Sequence, residues 1–370
     1  MNIIDLFSGV GGLSLGAARA GFTVKCAVEL DKKAVNAHSL NFPGTTHVND
    51  DVKTLTGDKL RELAGLNEGE IGGVIGGPPC QGFSMIGQKD VADHRNELFA
   101  EFFRLVSELK PNFFLAENVP GIILGKNKQI VDKAMDWVKD DYSMLPPMIL
   151  SANNYGAPTT RTRVFFFGYR KDCDIDLSVD DFSPPAGTPK ITVEKALRGL
   201  PKEVSPDWQE EEDSWRSVRK LKDDFFGSRA QGKIPSGVGE PKSVELFLKK
   251  RHVSGFFGTV HSKKVARRYL KVLPGQRDSV SKSQRLKHDG FCPTLRAGTG
   301  PEHGSFQAVR PLHPVENRVI TPREAARLQG FPDWFQFSPT KWHSFRQIGN
   351  SVSPILAEYI FSVIKKGLGK

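Results

Sequence analysis

Short apolar runs alternate with amphipathic stretches through the first 170 residues of the chain. The runs that predict strands are NIIDLF, TVKCAVEL, IGGVIGG, NFFLAEN, MLPPMILSA and RVFFFGY. The stretches that predict helices are LSLGAARAG, which Gly21 should end, KKAVNAHSLNF, residues 98–109 and IVDKAMDWVKD. This alternation predicts an α/β fold with a doubly wound, mostly parallel sheet, which binds ligands at the carboxyl ends of its strands.

Two more helices are predicted near the C-terminus. In ITPREAARLQGF, Thr321 is the expected N-cap, Pro322 the first helical residue and Glu324 the partner that completes a capping box. The segment NSVSPILAEYIFSVIKK predicts a final helix, with Asn350 and Ser351 in capping positions. Between these regions glycine and proline are scattered without clear periodicity. We therefore predict a discontinuous α/β domain of residues 1–171 and 316–370, and a smaller, loop-rich domain of residues 172–315.

The amino-acid composition limits which class of protein the chain can belong to. The 370 residues are 38% hydrophobic and 25% charged, which is typical of a globular chain, and no apolar run approaches the roughly 20 residues that span a bilayer. The N-terminus lacks the pattern of a signal peptide, so a soluble, cytoplasmic protein is expected. The four cysteines are far apart and lack C-x-x-C pairing, which predicts neither a disulfide framework nor a metal site.

Positive charge is concentrated in one part of the chain. The formal net charge is +10, and residues 216–287 contain 19 Lys and Arg against 5 Asp and Glu. This segment therefore carries all of the positive excess. A localised basic face is typical of a module that binds a polyanion such as nucleic acid, although a charge run taken alone is also compatible with a solvated surface.

A glycine-rich turn follows the first predicted strand. In DLFSGVGGLSLG, Gly9, Gly11 and Gly12 would let the backbone turn sharply and approach a cofactor. Glu29 ends the next predicted strand, where a carboxylate can accept hydrogen bonds from ribose hydroxyls. The spacing differs from G-x-G-x-x-G, which argues against a dinucleotide. The motif thus indicates a nucleoside-bearing cofactor, and a simple strand-to-helix turn is the alternative.

Three further motifs follow predicted strands. In GGPPCQGFS, Pro78 and Pro79 stiffen the backbone before Cys80, which suits a nucleophile as well as a buried structural thiol. Glu117 leaves the apolar strand FFLA, so its partly desolvated carboxyl group is suited to donating a proton, unless it lies at the surface. Arg161 and Arg163, two residues apart on a predicted strand, would share a face and hold a polar ring or a phosphate; exposed arginines are the alternative.

Together and in this order, the motifs resemble those of the cytosine-5 DNA methyltransferases of bacterial restriction-modification systems. DLFSGVGGL resembles the family's cofactor loop, GGPPCQGFS its catalytic loop, ENV its acid, RTR its arginine pair and RQIGNSVSP its closing cofactor motif. The resemblance covers about residues 1–170 and 315–370. Two positions depart from the family pattern: Thr159 replaces a common Gln, and Leu30 replaces a common aromatic residue that stacks on adenine.

The resemblance implies a Rossmann-like, S-adenosylmethionine-dependent methyltransferase fold, with residues 172–315 as the target-recognition domain and S-adenosylhomocysteine as a product. It implies Cys80 as nucleophile, Glu117 as proton donor to N3 of cytosine and Arg163 as a contact to the cytosine carbonyl oxygen, with Asn118 ordering the loop and Arg161 as the second arginine. The cofactor residues that it implies are Phe7, Gly9, Gly11, Gly12, Glu29, Asp51, Val52, Leu98, Asn350 and Val352.

The implied substrate is double-stranded DNA. The target cytosine would be flipped out of the helix, and the basic segment would contact phosphates. The candidate DNA-binding residues are Ser84, Arg267, Arg268, Thr294 and Arg296, of which Thr294 belongs to the predicted reading loop CPTLRAGTGPEHGS. A monomer with no membrane contact is expected, and a cognate restriction endonuclease would act separately.

Three alternatives remain open from the sequence. A tRNA cytosine methyltransferase of the same fold would share the catalytic motifs. A DNA-binding regulator that has lost catalysis is disfavoured by the joint presence of Cys80, Glu117 and Arg163. A redox protein is disfavoured because no second cysteine lies near Cys80 in the sequence.

Overall fold

The structure is a computed structural model of the chain, and it describes residues 1–79, 97–125, 127–210, 212–232, 234–298 and 310–369. Two predicted site residues, Cys80 and Ser84, lie outside these ranges.

A single large sheet forms the centre of the molecule. Its strands are β1 (Asn2–Leu6), β2 (Thr23–Val28), β3 (Thr46–Val48), β4 (Ile71–Gly76), β5 (Phe113–Asn118), β6 (Tyr142–Met144), β7 (Met148–Ser151) and β8 (Thr162–Arg170). The order is β3-β2-β1-β4-β5-β8-β6, with β7 also paired to β8. Strands β1 to β5 are parallel, whereas β8 is antiparallel to β5, β6 and β7. The predicted mostly parallel, doubly wound sheet is thus confirmed.

Helices flank the sheet and continue into the C-terminal half. Those of the first 140 residues are α1 (Gly12–Arg19), α2 (Lys32–Asn41), α3 (Gly57–Ala64), α4 (Glu97–Leu109) and α5 (Asn127–Met135). The central part contains α6 (Val193–Leu197), α7 (Phe225–Gln231), α8 (Pro241–Lys250) and α9 (Lys263–Leu270), together with the strand pair β9 (Arg216–Ser217) and β10 (His252–Val253). The last helices are α10 (Pro322–Gln329), α11 (Lys341–Asn350) and α12 (Pro354–Leu368).

Residues of the central strand β5 alternate between two different apolar clusters. In β5, Phe113 and Leu115 belong to the cluster that contains α1 and α12, whereas Phe114 and Ala116 belong to the cluster that contains α4. Because side chains along a strand alternate between the faces of a sheet, both faces of β5 are buried. This explains why the central strands are continuous apolar runs in the sequence.

Two sequence predictions about element boundaries are wrong. MLPPMILSA does not form one strand: β6 ends at Met144 and β7 begins at Met148, because Pro146 and Pro147 have no N–H groups for a ladder. The final helix starts at Pro354 with Ser353 as its N-cap, and residues 341–350 form a separate helix, α11. Proline at the first helical position fixes this later start. The capping box of Thr321 and Glu324 at α10 is confirmed.

The predicted smaller domain shares its core with the sheet. The apolar cluster that includes Leu15 and Phe361 continues into Phe256 and Leu286. Burial across this contact holds the two parts of the chain together, and the boundary at residues 172–315 stays a prediction. Among the residues that the structure describes, no helix combines the length and the apolar character needed to cross a membrane.

Candidate active site at the carboxyl edge of the sheet

Four predicted site segments meet at one edge of the sheet. Strands β1, β2, β4 and β5 are neighbours and run parallel, so the residues that follow them emerge together. These residues are the glycine-rich turn after Leu6, Glu29 after Val28, the Gly77–Pro79 segment after Gly76, and the carboxyl end of β5 at Asn118. The strand order reverses between β1 and β4, which is where doubly wound sheets form their ligand crevice.

The acid and one arginine of the predicted site form an ion pair. Glu117 is 7% exposed at the end of β5, and its Oε1 lies 2.7 Å from Nε of Arg163 on β8. Antiparallel pairing of β5 with β8 brings these residues close, with Glu117 opposite Phe165. A buried charge is costly unless it is paired, and Arg163 supplies that pairing. A carboxyl group and a guanidinium therefore lie together at the carboxyl end of β5.

The segment that leads to Cys80 lies against the acid. A Cβ atom built on Gly77 would lie 3.0 Å from Oε2 of Glu117, a close approach that suits glycine. The amide of Asn118 donates a hydrogen bond of 3.3 Å to the carbonyl of Pro78, and its Oδ1 accepts one of 2.8 Å from the N–H of Val119. Asn118 thus fixes the chain two residues before Cys80.

Arg161 occupies a different position from Arg163. Strand β8 begins at Thr162, so Arg161 precedes the strand and the expectation of a shared face does not hold. Its buried guanidinium donates hydrogen bonds to the carbonyls of Gly349 at 2.8 Å and Asn350 at 2.9 Å. A longer bond of 3.4 Å reaches the carbonyl of Leu295. Arg161 therefore connects the start of β8 with the end of α11.

The glycine-rich turn has the backbone conformation that the sequence predicted. Gly9 and Gly11 have φ angles of +56° and +97°, and Phe7 also has a positive φ of +60°. A positive φ at a bulky residue costs of order 1–3 kcal/mol and is concentrated at functional sites. Glu29 accepts hydrogen bonds from the N–H of Gly9 at 2.9 Å and of Asp31 at 2.8 Å. Burial nevertheless raises the pKa of Glu29.

The closing motif packs directly on this turn. A Cβ atom on Gly12 would lie 2.4 Å from the carbonyl oxygen of Val352, so only glycine allows this approach. Val352 is buried, whereas the side chain of Asn350 is exposed at the end of α11. Gln329 donates a hydrogen bond of 2.7 Å to the carbonyl of Ser351 and holds the motif in place. Residues 7–12 and 350–352 thus form one structural unit.

The remaining residues that were predicted to bind the cofactor lie beside a second turn. Asp51 caps a short helical turn by accepting a hydrogen bond of 3.0 Å from the N–H of Lys53. Lys53 pairs at 2.6 Å with Glu97, the residue before Leu98. Val52, Leu98 and Phe7 contact the same apolar cluster. Leu30, one of the two positions that depart from the family pattern, is 66% exposed next to Glu29.

A chain of buried polar residues beneath the turn was not predicted. The hydroxyl of Ser14 donates a 2.5 Å hydrogen bond to Asp5, and Nε2 of His38 lies 3.1 Å from the same hydroxyl. Nδ1 of His38 lies 2.8 Å from Nε2 of His47. Burial, opposed in part by Ser14, raises the pKa of Asp5 to about 7, and burial and His47 lower the pKa of His38. The sequence did contain one indication of these buried contacts. Asp5 lies inside the apolar run NIIDLF, and a buried carboxyl group needs a polar partner.

The predicted DNA-binding residues differ in their surroundings. Arg267 is exposed on α9, whereas Nε of Arg268 lies 2.6 Å from Oδ1 of the buried Asp278. Thr294 is half-buried and Arg296 is exposed. Their neighbour Ala297 packs on α11, where a Cβ on Gly349 would approach its N atom to 2.7 Å. The segment that contains Thr294 is therefore anchored close to Arg161 and the closing motif.

Comparison with known proteins shows the family of the chain. Residues 1–366 match the family model described as C-5 cytosine-specific DNA methylase. The type II methyltransferase M.XorII of Xanthomonas oryzae pv. oryzae is 39% identical over 372 residues, which are 99% of this chain and 85% of the relative. A crystal structure of a DNA modification methyltransferase encoded within an E. coli prophage is 50% identical, covers 100% of both chains and has a TM-score of 0.91. The S. pombe Dnmt2 methyltransferase, 18% identical over 100% of both chains with a TM-score of 0.65, shares the fold.

The fold and the site thus define a methyltransferase. The chain belongs to the C-5 cytosine-specific DNA methylase family, and its enzyme class is DNA cytosine-5 methyltransferase. The sequence prediction of the family is confirmed.

Proposed function

We propose that the protein transfers a methyl group from S-adenosylmethionine to carbon 5 of a cytosine flipped out of double-stranded DNA, through a covalent bond between Cys80 and carbon 6. The observation that carries this proposal is the position of Glu117, whose carboxylate lies against Gly77, three residues before Cys80. Asn118 holds the intervening Pro78. A proton donor and a nucleophile on adjacent segments are what the addition to cytosine requires.

The residues around the glycine-rich turn fit the cofactor. The carboxylate of Glu29 lies at the turn and has lone pairs left for ribose hydroxyls. No described atom lies within 4 Å of the Cβ position of Gly9, so the backbone there is open to a ligand. When bound, S-adenosylmethionine supplies a methyl group on a positively charged sulfur. Phe7, Val52 and Leu98 would line the apolar side of its adenosine.

The protein residues make carbon 5 of cytosine reactive. This carbon is a poor nucleophile in the aromatic ring. The thiolate of Cys80 adds to carbon 6 while Glu117 donates a proton to N3, and the ring becomes an enamine whose carbon 5 accepts the methyl group. Loss of the proton from carbon 5 then expels the thiolate and restores the ring. Arg163, which lies 2.7 Å from Glu117, would contact the carbonyl oxygen of the cytosine.

DNA binding would offset the cost of base flipping. Extruding a base from a duplex costs a few kcal/mol, and phosphate contacts with counterion release can supply this free energy. Exposed Arg267 and Arg296 are suited to such contacts. Ser84 and Thr294 are proposed to contact the bases or the backbone near the target, as expected from the sequence.

The names of the relatives support a proposal for the biological setting. M.XorII is named a type II methyltransferase. We propose the same role here: methylation that protects DNA from a cognate endonuclease acting as a separate protein. A cytoplasmic monomer is consistent with this role.

Bisulfite sequencing of plasmid DNA from cells that express the chain tests the reaction and its site together. We expect 5-methylcytosine at one recurring sequence, and none with Cys80→Ala. Duplex DNA with 5-fluorocytosine at that site should form a covalent complex, because fluorine replaces the proton that must leave carbon 5. Glu117→Gln should lower kcat by about 10²- to 10⁴-fold.

An RNA substrate is the control. Transfer of methyl groups to tRNA but not to duplex DNA would contradict the proposal, as would full turnover by Cys80→Ala. Binding of duplex DNA by Cys80→Ala should remain close to that of the wild type, which shows that the loss lies in chemistry.

A further inference from the structure

Two cationic side chains meet at the start of α11 without an acidic partner. The guanidinium of Arg310 lies over the ring of Phe345, 4.2 Å from its centroid. Lys341 is one helical turn before Phe345, and its ammonium group donates hydrogen bonds to the carbonyl of Gly258 and, at 3.2 Å, to the hydroxyl of Thr259. Both cations are half-buried, so they are partly desolvated and still reachable from solvent.

A third basic side chain borders this pair. His261 follows Thr259 by two residues, and burial followed by the charges of Lys341 and Arg318 lowers its pKa. Burial and the charge of Arg310 likewise lower the pKa of Lys341. The contacts also place the groups near one another, because Arg310 stacks on Phe345 one turn from Lys341, and Lys341 donates to Thr259, two residues before His261. The cluster of Arg310, Lys341 and His261 is named the cationic cluster below.

Other buried arginines of this region either pair with a carboxylate or, like Arg323, donate to backbone carbonyls from all of their nitrogens. Arg318 lies 2.8 Å from Glu324, and Arg327 forms a buried pair with Asp333. Within the described ranges, neither Arg310 nor Lys341 has a carboxylate within ion-pair distance. Nε of Arg310 is buried and has no hydrogen-bond partner among those residues. Partly buried charges without counter-charge are costly, so an external anion would stabilise this arrangement.

The surroundings identify the anion. Helix α9 begins next to the cationic cluster, and its Lys263, Lys264 and Arg267 are exposed. The cluster therefore continues a positive surface rather than forming an isolated small-molecule pocket. An extended positive surface matches a chain of phosphates, in which successive groups engage successive cations. A planar guanidinium beside an ammonium group is suited to the two free oxygens of one phosphodiester.

We propose that Arg310 and Lys341 bind a phosphodiester group of the DNA backbone, and that His261 borders this site. The inference rests on the proposed function, because it takes double-stranded DNA as the substrate. It adds two phosphate-binding residues that the sequence motifs did not indicate. The site also places the duplex against α11, whose other end carries Asn350 of the closing cofactor motif.

Salt-dependent binding of a fluorescently labelled duplex tests the site. Each phosphate contact changes the slope of log K against log[salt] by about 0.9. Because both side chains would engage the same phosphate, Arg310→Ala and Lys341→Gln should each reduce the slope by part of this amount, and the double variant should reduce it by about all of it. Each single change should weaken binding roughly five- to tenfold at 0.1 M salt. Gln at position 341 keeps a donor for Gly258, so the change removes charge with little loss of structure. Lys341→Arg keeps the charge and should keep the slope.

Lys139→Ala is the matched control. Lys139 is an exposed lysine that pairs at 2.9 Å with Asp136 after α5, away from the cationic cluster in the fold, and its removal should leave the slope unchanged. Thermal unfolding of every variant shows whether the fold is retained. Unchanged slopes for both Arg310→Ala and Lys341→Gln would overturn the inference. The inference would also be overturned if the two variants reduced the salt slope for binding of an RNA of the same length but not for binding of the DNA duplex.

Methyl transfer by the wild type, measured on the same DNA, separates the two proposals. If the wild type methylates the DNA while the variants keep its salt slope, the phosphate site is refuted and the proposed function stands. If the variants show the reduced slopes but the wild type transfers no methyl group to DNA, the reaction is refuted and the phosphate site stands.

Discussion

The guanidinium of Arg161 donates a 2.9 Å hydrogen bond to the carbonyl of Asn350, 189 residues further along the chain. A second bond of 2.8 Å reaches the carbonyl of Gly349. The last carbonyls of a helix have no intrahelical partners, and Arg161 satisfies two of them at the end of α11. Arg163, two residues later, contacts Glu117 instead. One arginine of the motif therefore supports the predicted cofactor side of the site, and the other pairs with Glu117, the proposed catalytic acid.

Replacing each arginine with lysine should separate these roles. The two nitrogens of the Arg161 guanidinium donate to the carbonyls of Gly349 and Asn350, and the single ammonium group of lysine cannot reproduce this planar, two-pronged geometry. Arg161→Lys should therefore lower the free energy of unfolding by about 3 kcal/mol and weaken binding of S-adenosylhomocysteine. Arg163→Lys can keep the ion pair with Glu117, so its stability should change less, while kcat falls roughly 10²-fold. Denaturant unfolding measures the free energy of unfolding, calorimetry measures the binding of S-adenosylhomocysteine, and turnover assays measure kcat. Equal losses of stability would contradict the assignment.

The glycines of the cofactor turn offer a second matched pair. A Cβ on Gly12 would lie 2.4 Å from the backbone of Val352, whereas none of the described atoms lies within 4 Å of a Cβ on Gly9. Gly12→Ala should therefore cost about 1–3 kcal/mol of stability through steric conflict with the closing motif. Gly9→Ala adds backbone strain of about 1 kcal/mol and should mainly reduce cofactor affinity, because the added methyl group points into open space. Similar losses of stability in the two variants would argue against this packing.

Asp5 should make stability depend on pH. Burial is the largest effect on its carboxyl group, whose pKa rises from 3.8 to about 7, so the folded protein binds this proton more tightly than the unfolded chain. The resulting stabilisation is complete below about pH 4 and is lost as the pH rises towards 7. Asp5→Asn removes this dependence. Wild type should lose stability relative to Asp5→Asn between pH 4 and 7, by at most about 1.4 kcal/mol per pH unit.

The stability contribution of His38 has the opposite pH dependence and has to be separated from that of Asp5. Burial and His47 lower its pKa well below 6.5, so its contribution to stability is present above pH 6.5 and is lost as the pH falls. Both proteins contain His38, so its effect cancels in the difference between them. Chemical denaturation at several pH values gives that difference. A constant difference across this range would show that Asp5 is ionised in the folded protein at all of them.

The sequence predicted those features that depend on local pattern. Phe113 to Asn118 is a continuous apolar run that ends in two polar residues, and it forms a buried strand with Glu117 and Asn118 at its carboxyl end. Glu29 directly follows the end of β2, beside the turn at Gly9. Parallel strands carry such residues to a common edge, so their order in the chain was enough to place them together.

Features that depend on tertiary contact were not predictable in this way. The hydrogen bond between Asp5 and Ser14 joins a strand to a helix, and His38 reaches the same hydroxyl from α2. The prediction that Arg161 and Arg163 share a face assumed that both lie on a strand, but β8 begins between them at Thr162. Helix α11 was missed because the glycine and polar residues of KWHSFRQIGN interrupt its apolar periodicity.

Arg267 and Arg268 are adjacent on α9 but have different partners. Arg267 is exposed, whereas Arg268 pairs at 2.6 Å with Asp278, whose side chain is buried. Burial alone would raise the pKa of Asp278, but hydrogen bonds from Arg268 and Ser281 outweigh it and lower the pKa to about 2. The folded protein therefore needs Arg268 to balance a buried negative charge.

Alanine at each of the two positions should have distinct effects. Arg267→Ala should reduce the salt dependence of DNA binding by about one phosphate contact, and its Tm should stay that of the wild type. Arg268→Ala leaves Asp278 without its cation, so it should lower Tm, and Arg268→Lys should restore most of the loss. Thermal unfolding and salt-dependent binding of duplex DNA measure both effects. If Arg268→Ala changed only the salt slope and left Tm unchanged, Arg268 would be a phosphate-binding residue rather than the partner that holds Asp278 in the folded module.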